Sequence, residues 1–238
     1  HDVCSAVHPM GILSPFFRQL PLEQHGLSWI RPPASVAHPM QGGDAVMLYR
    51  SLERTCAGLG RDARSYAGLV SPFLDAPHRL LADILAPLRI PEAPLQMARF
   101  GLRAIFSANR LARLLFRGPR ARALFAGCAA HSILPLSQPL TAALGLIFAI
   151  TAHVEDWPVA KGGSRAISLA LASYLKSLGG RIEIGRPGRS LAELPDARAI
   201  LFDTSPDQLA AIAGDALPSG YRRRLARYRY GPGVFKLD

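Results

Sequence analysis

Cysteine is scarce in this chain of 238 residues: Cys4, Cys56 and Cys128 stand far apart with no C-x-x-C pair, so neither a disulfide framework nor a thiolate zinc site is expected. Long apolar runs are missing too. The longest, Leu140 to Ala152, is shorter than the roughly 20 residues that cross a bilayer and carries Thr141 and Thr151, so a buried helix is expected there. The residues after His1 have neither the charged start nor the apolar centre of a signal peptide. A reducing, cytoplasmic setting is therefore expected, and a chain that is a piece of a longer protein, cut at its front. No Walker loop, H-E-x-x-H, G-x-S-x-G or complete G-x-G-x-x-G is found, and no pair among the seven histidines has metal-ligand spacing on one recognisable helix. The histidines read as structural or surface residues, and no metal site is expected.

The chain is long enough to bury a substantial core. Its 49% hydrophobic and 19% charged residues argue for a folded protein rather than a disordered one. Net charge is +11, and it is unevenly placed. Between Glu92 and Glu155 there is no acidic residue, while Arg99, Arg103, Arg110, Arg113, Arg117, Arg120 and Arg122 all fall in that interval; a second cluster runs from Arg222 to Arg229. Such excess raises nucleic acid, anionic membrane or an acidic ligand as partners, beside the plainer reading of a solvated basic face.

The first forty residues are rich in Pro, His and Gly and predict turns and extended segments. Gln41-Gly42-Gly43-Asp44 separates two β-prone stretches, predicting a hairpin of residues 35–40 and 45–49. Ser51 is placed to cap the next helix, with Leu52, Cys56 and Leu59 on one face and Gly58 or Gly60 near its end. From Asp62 to Ala130 the pattern is helical and broken by prolines at 72, 77, 87, 91, 94 and 119. Within it, residues 95–116 read as an amphipathic cationic stretch, either an ordinary surface helix or a face that rests on anionic lipid.

Beyond the change of character at Glu155-Asp156-Trp157-Pro158, a helical period runs through Ile167, Leu171, Leu175 and Leu178 and is closed by Gly179-Gly180. Residues 181–184 and 199–202 read as strands, and a helix is expected over 207–213, which together suggest an α/β layer. Gly162 and Gly163 precede a helix and form either a turn or an anion site, where backbone N–H groups and the helix dipole favour phosphate. Asp203 and Thr204 follow a predicted strand; there they either meet a ligand or, with Ser205, cap the following helix.

At these blocks the chain resembles a known family. Residues 1–9 (His-Asp-Val-Cys-Ser-Ala-Val-His-Pro), Ser14-Pro15-Phe16-Phe17 and His25-Gly26-Leu27-x-Trp29-x-x-Pro32-Pro33 resemble the stretch that follows the N-terminal FAD-binding unit of phytoene dehydrogenase-like flavoproteins. Trp157-Pro158-x-x-x-Gly162-Gly163-Ser164, Leu178-Gly179-Gly180-x-Ile182 and the tail from Tyr228 to Asp238 resemble later blocks of that family and of the wider amine oxidase superfamily.

The resemblance implies an FAD-dependent oxidoreductase of the dehydrogenase or desaturase type. It implies an α/β (α+β) architecture in which a partial, Rossmann-like FAD-binding domain is interleaved with a mostly helical substrate domain. Residues 1–12 and 158–215 would belong to the FAD-binding domain, 13–157 to the substrate domain and 216–238 to a second segment of it. Cys4, Ser5 and Ala6 would pass near the flavin. Gly162, Gly163, Asp203 and Thr204 would be cofactor neighbours. Gly188 would stand where the family usually has a valine whose backbone meets the adenine. The substrate would be a lipophilic small molecule losing a hydride equivalent to FAD. Independently of the resemblance, the arginine-rich helical stretch is expected to let a cytoplasmic protein attach peripherally to an anionic membrane. No catalytic residue is assigned. Because the family's glycine-rich loop has no counterpart in these residues, the chain by itself is not expected to retain FAD. The competing expectation is a non-catalytic basic module that binds nucleic acid or anionic membrane; the lack of any nucleic-acid motif weighs against nucleic acid.

Overall fold

The computed structural model describes residues 6–87, 89–231 and 233. The chain divides into two compact units, 1–180 and 181–238, each considered by itself. Unit one runs through α1 (Pro9–Leu13), β1 (Trp29–Ile30), β2 (Val36–Pro39), β3 (Ala45–Leu48), α2 (Leu52–Ala57), α3 (Ala63–Val70), α4 (Pro77–Leu85), α5 (Pro94–Ala104), α6 (Ala108–Leu115), α7 (Pro119–Ala130), α8 (Thr141–Glu155), β4 (Val159–Ala160) and α9 (Arg165–Ser177). Unit two holds α10 (Pro206–Ala213) and α11 (Ser219–Leu225). The fold is mostly helical α+β, with two small antiparallel sheets among the described residues.

Prolines set the helix starts. Pro77, Pro94, Pro119 and Pro206 occupy the first turn of α4, α5, α7 and α10, where the missing N–H costs nothing and the fixed φ suits the helix. Ser51 caps α2 by accepting the Arg54 N–H at 3.0 Å. The stretch 95–116 is two helices rather than one: Ser107 interrupts it and accepts the Arg110 N–H at 3.2 Å. The helix α9 closes through a Schellman turn, with Gly179 at φ +85°, the Gly180 N–H on the Leu175 carbonyl and the Gly179 N–H on that of Lys176.

The apolar run predicted to be a buried helix is α8, the centre of the core. Ala142, Leu146, Ala149, Ile150 and Ala152 are buried along it, and Ala121, Leu124, Phe125, Cys128 and Ala129 of α7 pack against them. Gly145 permits this approach, since a Cβ there would stand 2.9 Å from the Phe125 ring. The predicted hairpin is present as β2 and β3, paired from Val36–Leu48 to Pro39–Ala45, and Val46 and Leu48 face the core. Arg120 holds it in place through the Ala45 carbonyl at 2.9 Å, the Gly58 carbonyl at 2.6 Å and the Asp44 carboxylate.

Asp62 shows how a short polar side chain joins distant parts of this core. Its carboxylate is buried and accepts the N–H groups of Arg117 at 2.8 Å and Gly118 at 2.6 Å, so it caps α7 from another element and sets a negative charge at the positive end of that helix.

Two sequence expectations are corrected. Residues 181–184 and 199–202 are not strands; neither makes a ladder with any described residue. Ile184 and Leu201 are 92% and 93% exposed, so the alternation and the apolar run that suggested strands lack the second layer that buries a strand. The α/β layer expected from them is accordingly not formed among the described residues. The helix expected over 207–213 is α10. Of Asp203, Thr204 and Ser205, it is Ser205 that caps it, in a capping box with Gln208.

Candidate functional site

The chain crosses itself where its first described residues meet the segment after α8. The His8 N–H donates to the Pro158 carbonyl at 2.8 Å, and the His8 Nε2 lies 3.1 Å from the Ser164 hydroxyl. The strand β1 pairs antiparallel with β4, Trp29 opposite Ala160 and Ile30 opposite Val159, and the Lys161 N–H extends the ladder to the Ser28 carbonyl at 2.9 Å. The crossing is compact because Gly162 and Gly163 adopt φ +86° and +90°, turning the chain from β4 straight into α9. The Gly163 N–H is already used, donating to the Ala160 carbonyl at 3.0 Å, while a Cβ at Gly162 would meet nothing within 4 Å.

Beside the crossing lies a cavity of about 470 Å³ lined by Gly11, Phe17, Arg18, Trp29, Arg31 and Glu155, among others. Trp29 belongs to both features: it lines the cavity, and its indole packs against the His8 ring with centroids 5.8 Å apart. The cavity's apolar wall includes Leu13, Leu22 and Leu27. Its polar rim is balanced in charge. Arg31 pairs with the Glu155 carboxylate at 2.7 Å and with the Glu155 carbonyl at 2.6 Å. Arg18 donates to the His78 Nδ1 at 3.3 Å, which puts that ring's proton on Nε2, and Glu23 supplies the second carboxylate. Two guanidinium groups and two carboxylates thus line it, so the rim has no excess of one sign and the lining is about as polar as it is apolar.

The buried ionisable groups elsewhere in unit one serve the fold. The Arg50 carbonyl accepts from the His153 Nδ1 at 3.0 Å, so Nε2 is the acceptor for the Tyr66 hydroxyl, also at 3.0 Å. Burial pushes His153 below the ordinary imidazole value, partly opposed by the Arg50 carbonyl, and pushes Tyr66 well above the ordinary phenol value. Both groups are neutral and mutually satisfied. Burial likewise raises the Cys128 thiol to about 12, which makes it an unreactive packing residue.

Of the sequence-predicted cofactor neighbours, Cys4 and Ser5 lie outside the described residues. Ala6 is half-buried, two residues before His8. Gly188, Asp203 and Thr204 belong to unit two: Gly188 is half-buried beneath Leu194, and Asp203 and Thr204 are exposed ahead of α10. Sequence reasoning missed Arg18, Arg31, His78 and Glu155 as cavity residues. Trp29 and Glu155 stand in blocks that had drawn notice, whereas nothing local marks His78. Among the described residues no group of three or more His, Cys, Asp or Glu side chains is placed to hold a metal ion. No protein-family model, curated protein or solved structure matches the chain.

Proposed function

We propose that this chain is the central, substrate-side part of an FAD-dependent oxidoreductase of the phytoene dehydrogenase type, acting on a lipophilic compound. What supports this reading is that His8, in the first stretch resembling that family, is tied to Pro158 and Ser164 of the second, beside a cavity whose wall includes Leu13, Leu22 and Leu27. Residues 13–157 would be the substrate part. Residues 1–12 and 158–215 would belong to a Rossmann-like nucleotide-binding part, with Cys4, Ser5, Ala6, Gly162, Gly163, Gly188, Asp203 and Thr204 as its cofactor neighbours.

The described residues do not by themselves make a cradle for FAD. Their two sheets are antiparallel and two-stranded, and no glycine-rich turn links a parallel strand to a helix to receive a pyrophosphate. The isolated 238-residue chain is expected to emerge from gel filtration without flavin. The decisive experiment is expression of the entire reading frame that contains these residues. Co-purification of FAD, with its visible absorbance bleached anaerobically by a lipophilic substrate, is the expected result; a colourless product whose spectrum does not change on titration with FAD overturns the proposal.

A further inference from the structure

We infer that the outward sides of the consecutive helices α5 and α6 dock on an anionic lipid bilayer, an inference that does not depend on the flavin reading. On α5, Phe100 and Ala104 point into the core, and Leu95, Arg99, Leu102 and, just past its end, Ile105 recur at helical spacing on the opposite side. Leu95 is 80% exposed, Leu102 70% and Ile105 57%. On α6, Ala108, Leu111 and Ala112 are buried, which leaves Arg110, Arg113 and Leu114 outward, with Leu114 65% exposed. An ordinary surface helix turns its large aliphatic side chains inward; here both helices keep a second, outward set among arginines.

The charge of the face selects the occupant. None of the exposed Arg99, Arg110 and Arg113 takes part in an ion pair among the described residues, and no carboxylate occurs in the sequence between Glu92 and Glu155, whereas the half-buried Arg103 lays its guanidinium 5.9 Å from the centroid of the buried Phe73 ring. Glu92, at the edge of the face, is itself paired with Arg89 at 2.9 Å. Anionic headgroups complement such a surface, and the aliphatic side chains between the arginines have acyl chains to enter. Nucleic acid would meet the arginines but would leave Leu95, Leu102 and Leu114 without a partner. It would also find no exposed stacking ring, since Phe100 is buried and Phe106 is partly covered by Arg110, whose guanidinium lies 5.2 Å from the ring centroid. Among the described residues no helix is long and apolar enough to cross a membrane, so the contact is one of lying on the surface.

The test is co-sedimentation of the full chain with vesicles of phosphatidylcholine alone or with roughly 30% phosphatidylserine. Binding to the anionic vesicles, weakening as salt is raised, is expected, with little binding to the neutral ones. The pairs Leu95→Ser with Leu102→Ser and Arg99→Gln with Arg113→Gln should each weaken it about tenfold or more. Arg181→Gln, an exposed arginine of unit two, should leave it unchanged. Retained helical circular dichroism qualifies each variant, and should the leucine pair fail to fold, the arginine pair decides. The inference is overturned if the vesicles are not bound, if neutral and anionic vesicles are bound alike, if the arginine pair binds as well as the unaltered chain, or if a single-stranded RNA is retained in place of the vesicles.

Discussion

His8 and Ser164 meet side chain to side chain, imidazole nitrogen to hydroxyl at 3.1 Å, across 156 residues of sequence. A partly buried hydrogen bond of this kind contributes about 1 kcal/mol. A double-mutant cycle of His8→Ala and Ser164→Ala, measured by urea unfolding, should return a coupling energy of about that size, because the two residues share one contact. Additive losses would show that the contact between these two side chains adds nothing to the backbone hydrogen bonds of the crossing.

Asp62 should prove more costly to lose than any exposed acid. Its carboxylate serves the N–H groups of both Arg117 and Gly118 from a buried position. Asp62→Ala strands both donors and removes the charge at the start of α7, a loss of about 2–4 kcal/mol. Asp62→Asn keeps a single acceptor and should cost roughly half as much. Denaturant midpoints of the two variants check the order.

Stability should fall on mild acidification. Burial holds His153 below its ordinary value of 6.5, with the Arg50 carbonyl partly opposing. As pH drops through that value the unfolded chain takes up a proton that the folded chain refuses, so the stability present at neutral pH is lost toward the depressed folded value. His38, also lowered by burial, acts in the same sense. Urea unfolding at about pH 7.5 and about pH 5.5 should show the loss, and His153→Gln should flatten the slope, since an amide bonds in both directions without titrating.

Gly127 and His38 should behave as a pair. A Cβ at Gly127 would run into the His38 ring, whose Nε2 is buried without a hydrogen-bond partner among the described residues. Gly127→Ala should therefore destabilise by about 1–3 kcal/mol through overpacking. With His38→Ala already in place the same change should stabilise by about 0.5–1 kcal/mol, the ordinary gain of alanine over glycine inside a helix. Thermal unfolding of the four proteins reads the change of sign.

Local chemistry made much of the helical framework legible. Proline at the first turn of α4, α5 and α7, serine ahead of α2, and the glycine pair after α9 are signals a residue carries with it, whatever surrounds it. Ser107 carried the same signal and was overlooked inside a continuous amphipathic pattern. What could not be read locally depends on a distant partner. Asp62 caps a helix more than fifty residues away. Residues 181–184 and 199–202 have strand-like composition, but a strand is completed only by its neighbour in a ladder. Of the candidate site, the glycine turn is visible as a pattern, while the cavity wall joins residues between Gly11 and Arg31 to His78 and Glu155, which only the tertiary fold brings together.

The register of Trp29 opposite Ala160 has an evolutionary consequence. Everything from Ile30 to Val159 is strung between two points that a strand pair keeps about 5 Å apart, so the bundle enters and leaves through one narrow doorway. Residues added at a helix–helix connection inside that excursion would leave its paired ends in place, whereas changes in α8, which packs on α1, would be felt at the crossing. Rapid divergence is therefore expected at those connections, with the doorway itself kept constant.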